Sequence, residues 1–366
     1  MNGPLAILGG GQLAQMMARA AIDLGLRARV LDPDPGCPAA ANAEVVVGAY
    51  DDSAAIDRLI DGAGALTYEF ENVPAQSLAH AAARGLHADP SALALSTAQD
   101  RIPEKQCFRA QGLDTAPFAA VDSLIDLRAA VAAIGLPGVL KTRRLGYDGK
   151  GQVVIRDAHA VDAAWNRLGT QPLIYEGFVA FDEECSLLSV RGRDGEVRCW
   201  PLVVNRHEGG ILRLSLSPAA GVAHLQAQAE AHARRILGSL GYVGVLAIEF
   251  FRCGDRLIGN EMAPRVHNSG HGTIEGSVCS QFENHVRAVC GLPLGSTAAR
   301  GAHAMLNLIG SMPPRGELLS VEGLHLHDYG KPPRPGRKLG HVTLVDADAQ
   351  RLHARVADLR TRFGLG

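Results

Sequence analysis

Along the first hundred residues the apolar positions switch between two periods. Residues 4–8 (PLAIL) make a short apolar run suited to a buried strand, and Gly9 to Gly11 break it as a turn. From Gln12 onward, Leu13, Met16, Met17, Ala20, Ala21 and Leu24 recur at the spacing of one helical face. A second strand is expected over 27–31, ending at Asp32, with others over 44–47 and 65–68 and helical patterns such as 53–60 between them. Strands alternating with helices predict a parallel α/β unit that closes near residue 100. A helix over 103–111 then gives way to strands, glycine-rich turns and hairpins up to about residue 294, after which a Pro/Gly-rich stretch carries a renewed β pattern. The expectation is an α/β chain, α+β overall, in three units: 1–100, 101–294 and 295–366.

Charge removes some partners from consideration. The 366 residues carry 36 basic and 38 acidic side chains, a net charge of −2, so no bulk electrostatic attraction to nucleic acid or to a membrane surface is expected. The apolar run at Leu5 to Leu8 is too short for a signal peptide or a span, and a cytoplasmic protein is expected. Seven scattered cysteines with no C-x-x-C pair read as reduced thiols rather than a disulfide framework or zinc knuckle. Only five of the basic residues are lysines, at 105, 141, 150, 331 and 338. In a chain that otherwise uses arginine, a lysine marks a place where a compact point charge suits the contact, as at a phosphate.

Gly9, Gly11 and Ala14 satisfy G-x-G-x-x-A between strand and helix, with Asp32 near the position of a ribose-binding acid. That pattern fits a dinucleotide, and it equally fits a lone phosphate at a helix N-terminus. Tyr68-Glu69-Phe70-Glu71-Asn72 falls at the C-terminal end of a strand, where ligands gather in open α/β sheets. Strands over 138–142 and 152–155 flank a glycine loop, 143–151, in which the backbone can fold over phosphates while Lys141 and Lys150 supply charge. A hairpin over 243–262, paired symmetrically about residue 255, sets Glu249 opposite Glu261, and two bare carboxylates on one face call for a divalent cation such as Mg²⁺. Arg265, His267, Asn268 and His271 follow at once in a polar turn. The extended run ending at Glu176 to Val179 suits a purine edge, with Glu184 on ribose hydroxyls, and Lys331, Arg334, Arg337 and Lys338 crowd a rigid stretch suited to phosphate.

Glycine flap with two lysines, then paired acids on a late hairpin, resembles the ATP-grasp superfamily of carboxylate-amine ligases. GGGQLA at 9–14, YEFENV at 68–73, QDR at 99–101, GYDGKGQ at 146–152, EGFV at 176–179, NEMAPR at 260–265, HNSGH at 267–271, then YGK and GRKLGH near the end, run in the order found in the N5-carboxyaminoimidazole ribonucleotide synthase family. The resemblance spans essentially the whole chain. It implies a Rossmann-like pre-ATP-grasp domain, an ATP-grasp domain and a small β-rich C-terminal domain, in a homodimer.

Residue by residue, it implies ATP bound by Arg101, Lys141, Gly146, Tyr147, Asp148, Gly149, Lys150, Gly151, Gln152, Glu176, Gly177, Phe178, Val179, Glu184, His207, Asn260 and Glu261, with Glu249 and Glu261 on Mg²⁺. Gly11, Gln12, Leu13, Glu69, Asn268, Lys331, Arg337 and Lys338 would hold the ribonucleotide, and Tyr147, Asp148, Lys150, Arg265 and His267 would serve the reaction itself. The chemistry implied is phosphorylation of bicarbonate by ATP and capture of carboxyphosphate, or CO₂ released from it, by the amine of 5-aminoimidazole ribonucleotide, with the flap excluding water. Two positions depart from the pattern. Ala263 stands where many ATP-grasp enzymes have an asparagine metal ligand, and Gly272 where the family often has an aromatic. Three other readings remain open here: a related ligase using formate and glycinamide ribonucleotide, a nicotinamide dehydrogenase resting on residues 9–32, and a nucleotide sensor without turnover.

Overall fold

The structure, a computed structural model, describes residues 3–146 and 151–365. Four parallel strands, Leu5–Leu8 (β1), Ala28–Asp32 (β2), Glu44–Val47 (β3) and Ala65–Tyr68 (β4), lie in the order β3-β2-β1-β4. β1 and β4 are buried along their whole length, which is why β1 reads as an unbroken apolar run and β4 is interrupted only by Thr67. Helix Gln12–Asp23 packs Leu13, Met17 and Ala21 against Phe282, Val286 and Val289 of helix Gln281–Val289, joining the N-terminal sheet to the rest of the molecule. A buried polar contact reinforces that joint. His285 bonds Thr67 Oγ1 through Nε2 at 2.8 Å, while its Nδ1 accepts from the amide of Val245 at 3.1 Å.

The helix expected over 103–111 runs Arg101–Ala110. Asp100 caps it, accepting from the amide of Ile102 at 3.0 Å. Pro103 lies inside the first turn, where its missing N–H breaks no helical bond, so the helix begins two residues earlier than expected.

A second, antiparallel sheet contains Phe118–Val121 (β5), Gly138–Thr142 (β6), Gln152–Ile155 (β7) and Leu173–Gly177 (β8) in the order β5-β8-β6-β7. The third sheet has nine strands: Glu183–Arg191 (β9), Val197–Cys199 (β10), Val203–Glu208 (β11), Ile211–Ser217 (β12), Gly244–Cys253 (β13), Arg256–Ala263 (β14), Ala302–Ile309 (β15), Leu324–Asp328 (β16) and Lys338–Asp346 (β17). Its path is β14-β13-β9-β11-β12-β15-β17-β16, with β10 on β9. β15 pairs with β12, so the strands after residue 300 extend the central sheet rather than closing one of their own. They share a core with it, since Leu214 and Leu216 of β12 pack among Leu306, Val342, Leu352 and Val356. Among the described residues no helix is long and apolar enough to cross a membrane.

Candidate active site

Glycines 9–11 end β1, and the amides that follow are already taken by side chains. Glu69, just beyond β4, accepts from the amides of Gly11 at 2.5 Å and Ala14 at 3.0 Å. Asp32 accepts from Gly10 at 2.8 Å and from the Tyr50 hydroxyl at 2.8 Å. A dinucleotide pyrophosphate would need those same donors, so this arrangement argues against the dehydrogenase reading. Burial pushes the Glu69 carboxyl up despite its two amide partners. A Cβ at Gly11 would lie 2.5 Å from Glu69 Oε1. Gly11→Ala is therefore expected to drive that carboxylate off the helix end and to lower unfolding stability by about 1–3 kcal/mol, read from urea midpoints. Unchanged midpoints would refute that role for the contact.

The hairpin β13–β14 does pair Glu249 with Glu261. The connection is a two-residue turn, Gly254-Asp255, and Cys253 to Phe250 pair with Arg256 to Gly259 in a register that would bring Asn260, not Glu261, opposite Glu249. A bulge at Asn260 shifts the register by one and sets the two acids face to face. Burial, and next the Glu261 charge, push Glu249 above the usual carboxylate range. Burial would raise Glu261, but Arg101, whose Nη1 lies 3.0 Å from Glu261 Oε2, together with Lys141 and Lys105 holds it below that range.

Other charges surround this pair. His267 Nε2 is 3.4 Å from Glu249 Oε1, and burial, then Arg265, bring this imidazole down to about 3, so it is neutral. His207 Nδ1 and Glu184 Oε2 are 2.6 Å apart, and the contact with Glu184 raises the histidine against the effect of burial. Lys141 Nζ contacts Glu176 Oε2 at 2.9 Å. Burial would raise Glu176, but Lys141, Lys105 and Arg101 together hold it at about 2. On the N-terminal side Arg265 bonds Glu71, and burial of that acid is likewise outweighed, to about 2. No group of three or more metal-ligating side chains is gathered among the described residues. Two facing carboxylates that repel when bare nevertheless fit an ion whose remaining ligands are water and phosphate, as Mg²⁺ is commonly held.

One cavity of about 520 Å³ joins these parts. Gln12, Leu13 and Glu69 line it from the N-terminal sheet. Arg101, Lys141, Gly146 and Gln152 come from the helix and second sheet, and Glu184, His207, Glu249, Asn260 and Glu261 from the central sheet. Arg265, His267, Asn268 and Lys338 close it. The side-chain amide of Asn268 is buried there with neither its nitrogen nor its oxygen partnered in the protein.

Gly11, Gly151, Glu176, Gly177, Phe178, Val179, Lys331 and Arg337 are not part of that wall. Lys331 nevertheless donates to Gln12 Oε1, and Arg337 Nη1 to the Pro332 carbonyl at 3.3 Å. Tyr147, Asp148, Gly149 and Lys150 lie outside the described residues. The cavity also recruits Glu71, Leu212 and Phe251, none of which was assigned a ligand. Phe251 had a signal: it lies two residues from Glu249 on one strand and so on the same face. Leu212 had none.

Three family models match the chain: a ribonucleotide synthetase preATP-grasp domain over 3–99, an ATP-grasp domain over 106–282 and a phosphoribosylaminoimidazole carboxylase C-terminal domain over 303–355. The N5-carboxyaminoimidazole ribonucleotide synthase of Pseudomonas aeruginosa is 51% identical over 97% of this chain and 98% of its own length. The crystal structure of the corresponding synthetase from Thermus thermophilus superposes with a TM-score of 0.94 at 53% identity, covering 98% of both chains. An Aspergillus clavatus synthase crystallised with ADP and 5-aminoimidazole ribonucleotide gives a TM-score of 0.91 at 29% identity over 98% of both chains.

Proposed function

This chain belongs to the N5-carboxyaminoimidazole ribonucleotide synthase family, and from that premise we propose that its cavity carries out the ATP-dependent carboxylation of 5-aminoimidazole ribonucleotide by bicarbonate in purine biosynthesis, releasing ADP and phosphate. The observation that carries the reading is the single cavity, in which the facing acids Glu249 and Glu261 and the cations Arg101 and Lys141 share one space with Glu69, Arg265, Asn268 and Lys338. A reaction through a short-lived acyl phosphate needs both substrates in one water-poor volume.

On this reading ATP lies across the junction of the second and third sheets. Glu176 to Val179 border the base, and the Glu184–His207 pair takes the ribose. Arg101 and Lys141 lie against the phosphates, where positive charge offsets what builds up on the transferring phosphoryl group. Glu249 and Glu261 would hold Mg²⁺, which supplies Lewis-acid neutralisation of the phosphate oxygens. Bicarbonate oxygen attacks the γ-phosphorus and ADP leaves. The amine nitrogen of the ribonucleotide then forms the new C–N bond, phosphate departs and the amine gives up a proton. Asn268, buried and unpartnered, would orient the acceptor, with Gln12, Leu13, Glu69, Arg265, neutral His267, Lys331, Arg337 and Lys338 around it. Tyr147, Asp148 and Lys150 complete this assignment from the sequence pattern. The division into 1–100, 101–294 and 295–366 then keeps every residue assigned to ATP in the middle unit and gives the acceptor a wall from all three. We also place the chain in the cytoplasm, as a homodimer whose mass light scattering on the purified protein measures.

The decisive assay measures phosphate release from Mg-ATP with and without 5-aminoimidazole ribonucleotide, together with transfer of label from ¹³C-bicarbonate into the carbamate. Stimulated release with labelled carbamate is expected. Label from formate instead, with glycinamide ribonucleotide as the stimulating acceptor, would replace this reading with the related ligase. Nucleotide binding without turnover for any acceptor would leave a sensor.

A further inference from the structure

The carboxylate pair depends on the one-residue bulge at Asn260, and β14 is the edge strand of its sheet, so its outer side has no neighbouring strand to fix it. Helix Arg101–Ala110 lies along that open side. Arg101, Glu104 and Lys105 fall at i, i+3 and i+4, on one helical face, and each takes one of three successive residues of β14. Arg101 pairs with the Glu261 side chain. Lys105 Nζ donates to the main-chain carbonyl of Asn260 at 2.5 Å. Glu104 Oε1 accepts from the main-chain amide of Met262 at 2.6 Å. One step before the bulge, the Gly259 amide donates to the Asp114 carbonyl at 2.7 Å.

Lys105 is 1% and Glu104 2% exposed, an expensive location for ionisable side chains with no contact to solvent. Hydrophobic residues would pack that interface without such a cost. What they would not do is bond the two backbone groups that flank Glu261. A lone carbonyl offers nothing for a guanidinium fork to grip with two donors, which fits the use of a point-charge lysine in a chain that otherwise favours arginine. Lys105 also reaches Glu176 Oε2 at 3.6 Å, tying the bulge to β8.

Building on the carboxylating-ligase reading, we propose that Glu104 and Lys105 are positioning residues. They hold the Asn260 bulge and so fix the register in which Glu249 faces Glu261 for the cation that accompanies the nucleotide. Without them β14 can relax to the register that its two-residue turn begins. That slip puts Asn260 opposite Glu249 and turns Glu261 to the other face.

The test is binding of Mn²⁺ in the presence of ADP to the full chain, read from the free-ion paramagnetic resonance signal, with circular dichroism as the check on folding. Lys105→Met and Glu104→Leu are expected to weaken Mn²⁺ by about 10–100-fold, the range found when partners of metal ligands are removed. Glu104→Gln keeps an acceptor for the Met262 amide and should stay within about threefold. If Lys105→Met does not fold, the Glu104→Leu and Glu104→Gln pair decides by itself. Folded Glu104→Leu binding Mn²⁺ as the parent does overturns the proposal, as does Glu104→Gln failing equally. A parent chain that binds no Mn²⁺ with ADP overturns the ligase reading instead.

Discussion

Glu261→Gln should lower ribonucleotide-dependent ADP formation by about 10²–10³-fold, or roughly 3–4 kcal/mol of transition-state stabilisation. The substitution keeps the shape and an acceptor for Arg101 but removes the charge that Arg101 holds in place at 3.0 Å. A neutral amide is a far weaker Mg²⁺ ligand than a carboxylate, and Arg101 would be left without its counter-charge beside the phosphates. Its partner predicts a different balance. Glu249 already resists ionisation, through burial and then the Glu261 charge, so Glu249→Gln relieves repulsion in the empty protein. The Glu249 variant should melt higher than the parent without Mg²⁺ and gain less when Mg-ADP is added, because binding stabilises only as far as the ion is held. Calorimetric scans with and without Mg-ADP measure both. A Glu261→Gln enzyme within threefold of the parent rate would remove this hairpin from the reaction.

That both acids were found from the sequence, while the reason for their pairing was not, marks where local pattern stops. β1, β4 and the helix from Gln12 are legible because burial on one or both faces writes its period directly into the residues, while β3 shows through its run of β-branched valines. Counting symmetrically about residue 255 reached the correct pair, yet the turn has two residues and the bulge supplies the missing step. The bulge depends on Glu104 and Lys105, more than 150 residues upstream, and no window of sequence contains that contact. The sequence marks Glu71 as an acid at a strand end and Lys105 as a lysine in an arginine-rich chain, but names no partner for either. Only the fold gives them Arg265 and the Asn260 carbonyl.

The departure at Gly272 has the same kind of explanation. A Cβ there would lie 2.6 Å from His303 Cδ2, so the imidazole from β15 fills the space into which a side chain at 272 would project. The continuation of the central sheet into β15 through β17 was equally hidden, because hydrophobic alternation defines which face of a strand is buried and not which strand it pairs with.

Acid should draw stability from this protein through its buried histidines, about 2 kcal/mol for each imidazole that stays neutral in the fold between pH 7 and pH 5, against a typical total of about 5–15 kcal/mol. Burial holds His285 near 3 and His303 near 4, and burial followed by the Arg265 charge holds His267 near 3. His271 and His341 are also depressed, burial again coming first. For each, the unfolded chain takes up a proton as pH falls through about 6.5 while the folded protein does not, so the stability present at neutral pH is lost toward the folded value. Glu69, Asp89, Glu104 and Glu249, raised by burial, and His207, raised by Glu184 against its burial, act in the opposite direction, since the folded protein keeps protons there that the unfolded chain has released. His285 isolates the effect, because its Nδ1 must stay bare to accept from the Val245 amide while Nε2 bonds Thr67 across the joint between the sheets. In His285→Leu the loss from pH 7 to pH 5 should shrink by about 2 kcal/mol, the linkage expected of one histidine that cannot be protonated in the fold. Urea midpoints of parent and variant at the two pH values measure it, and parallel losses in both proteins would place the acid sensitivity elsewhere.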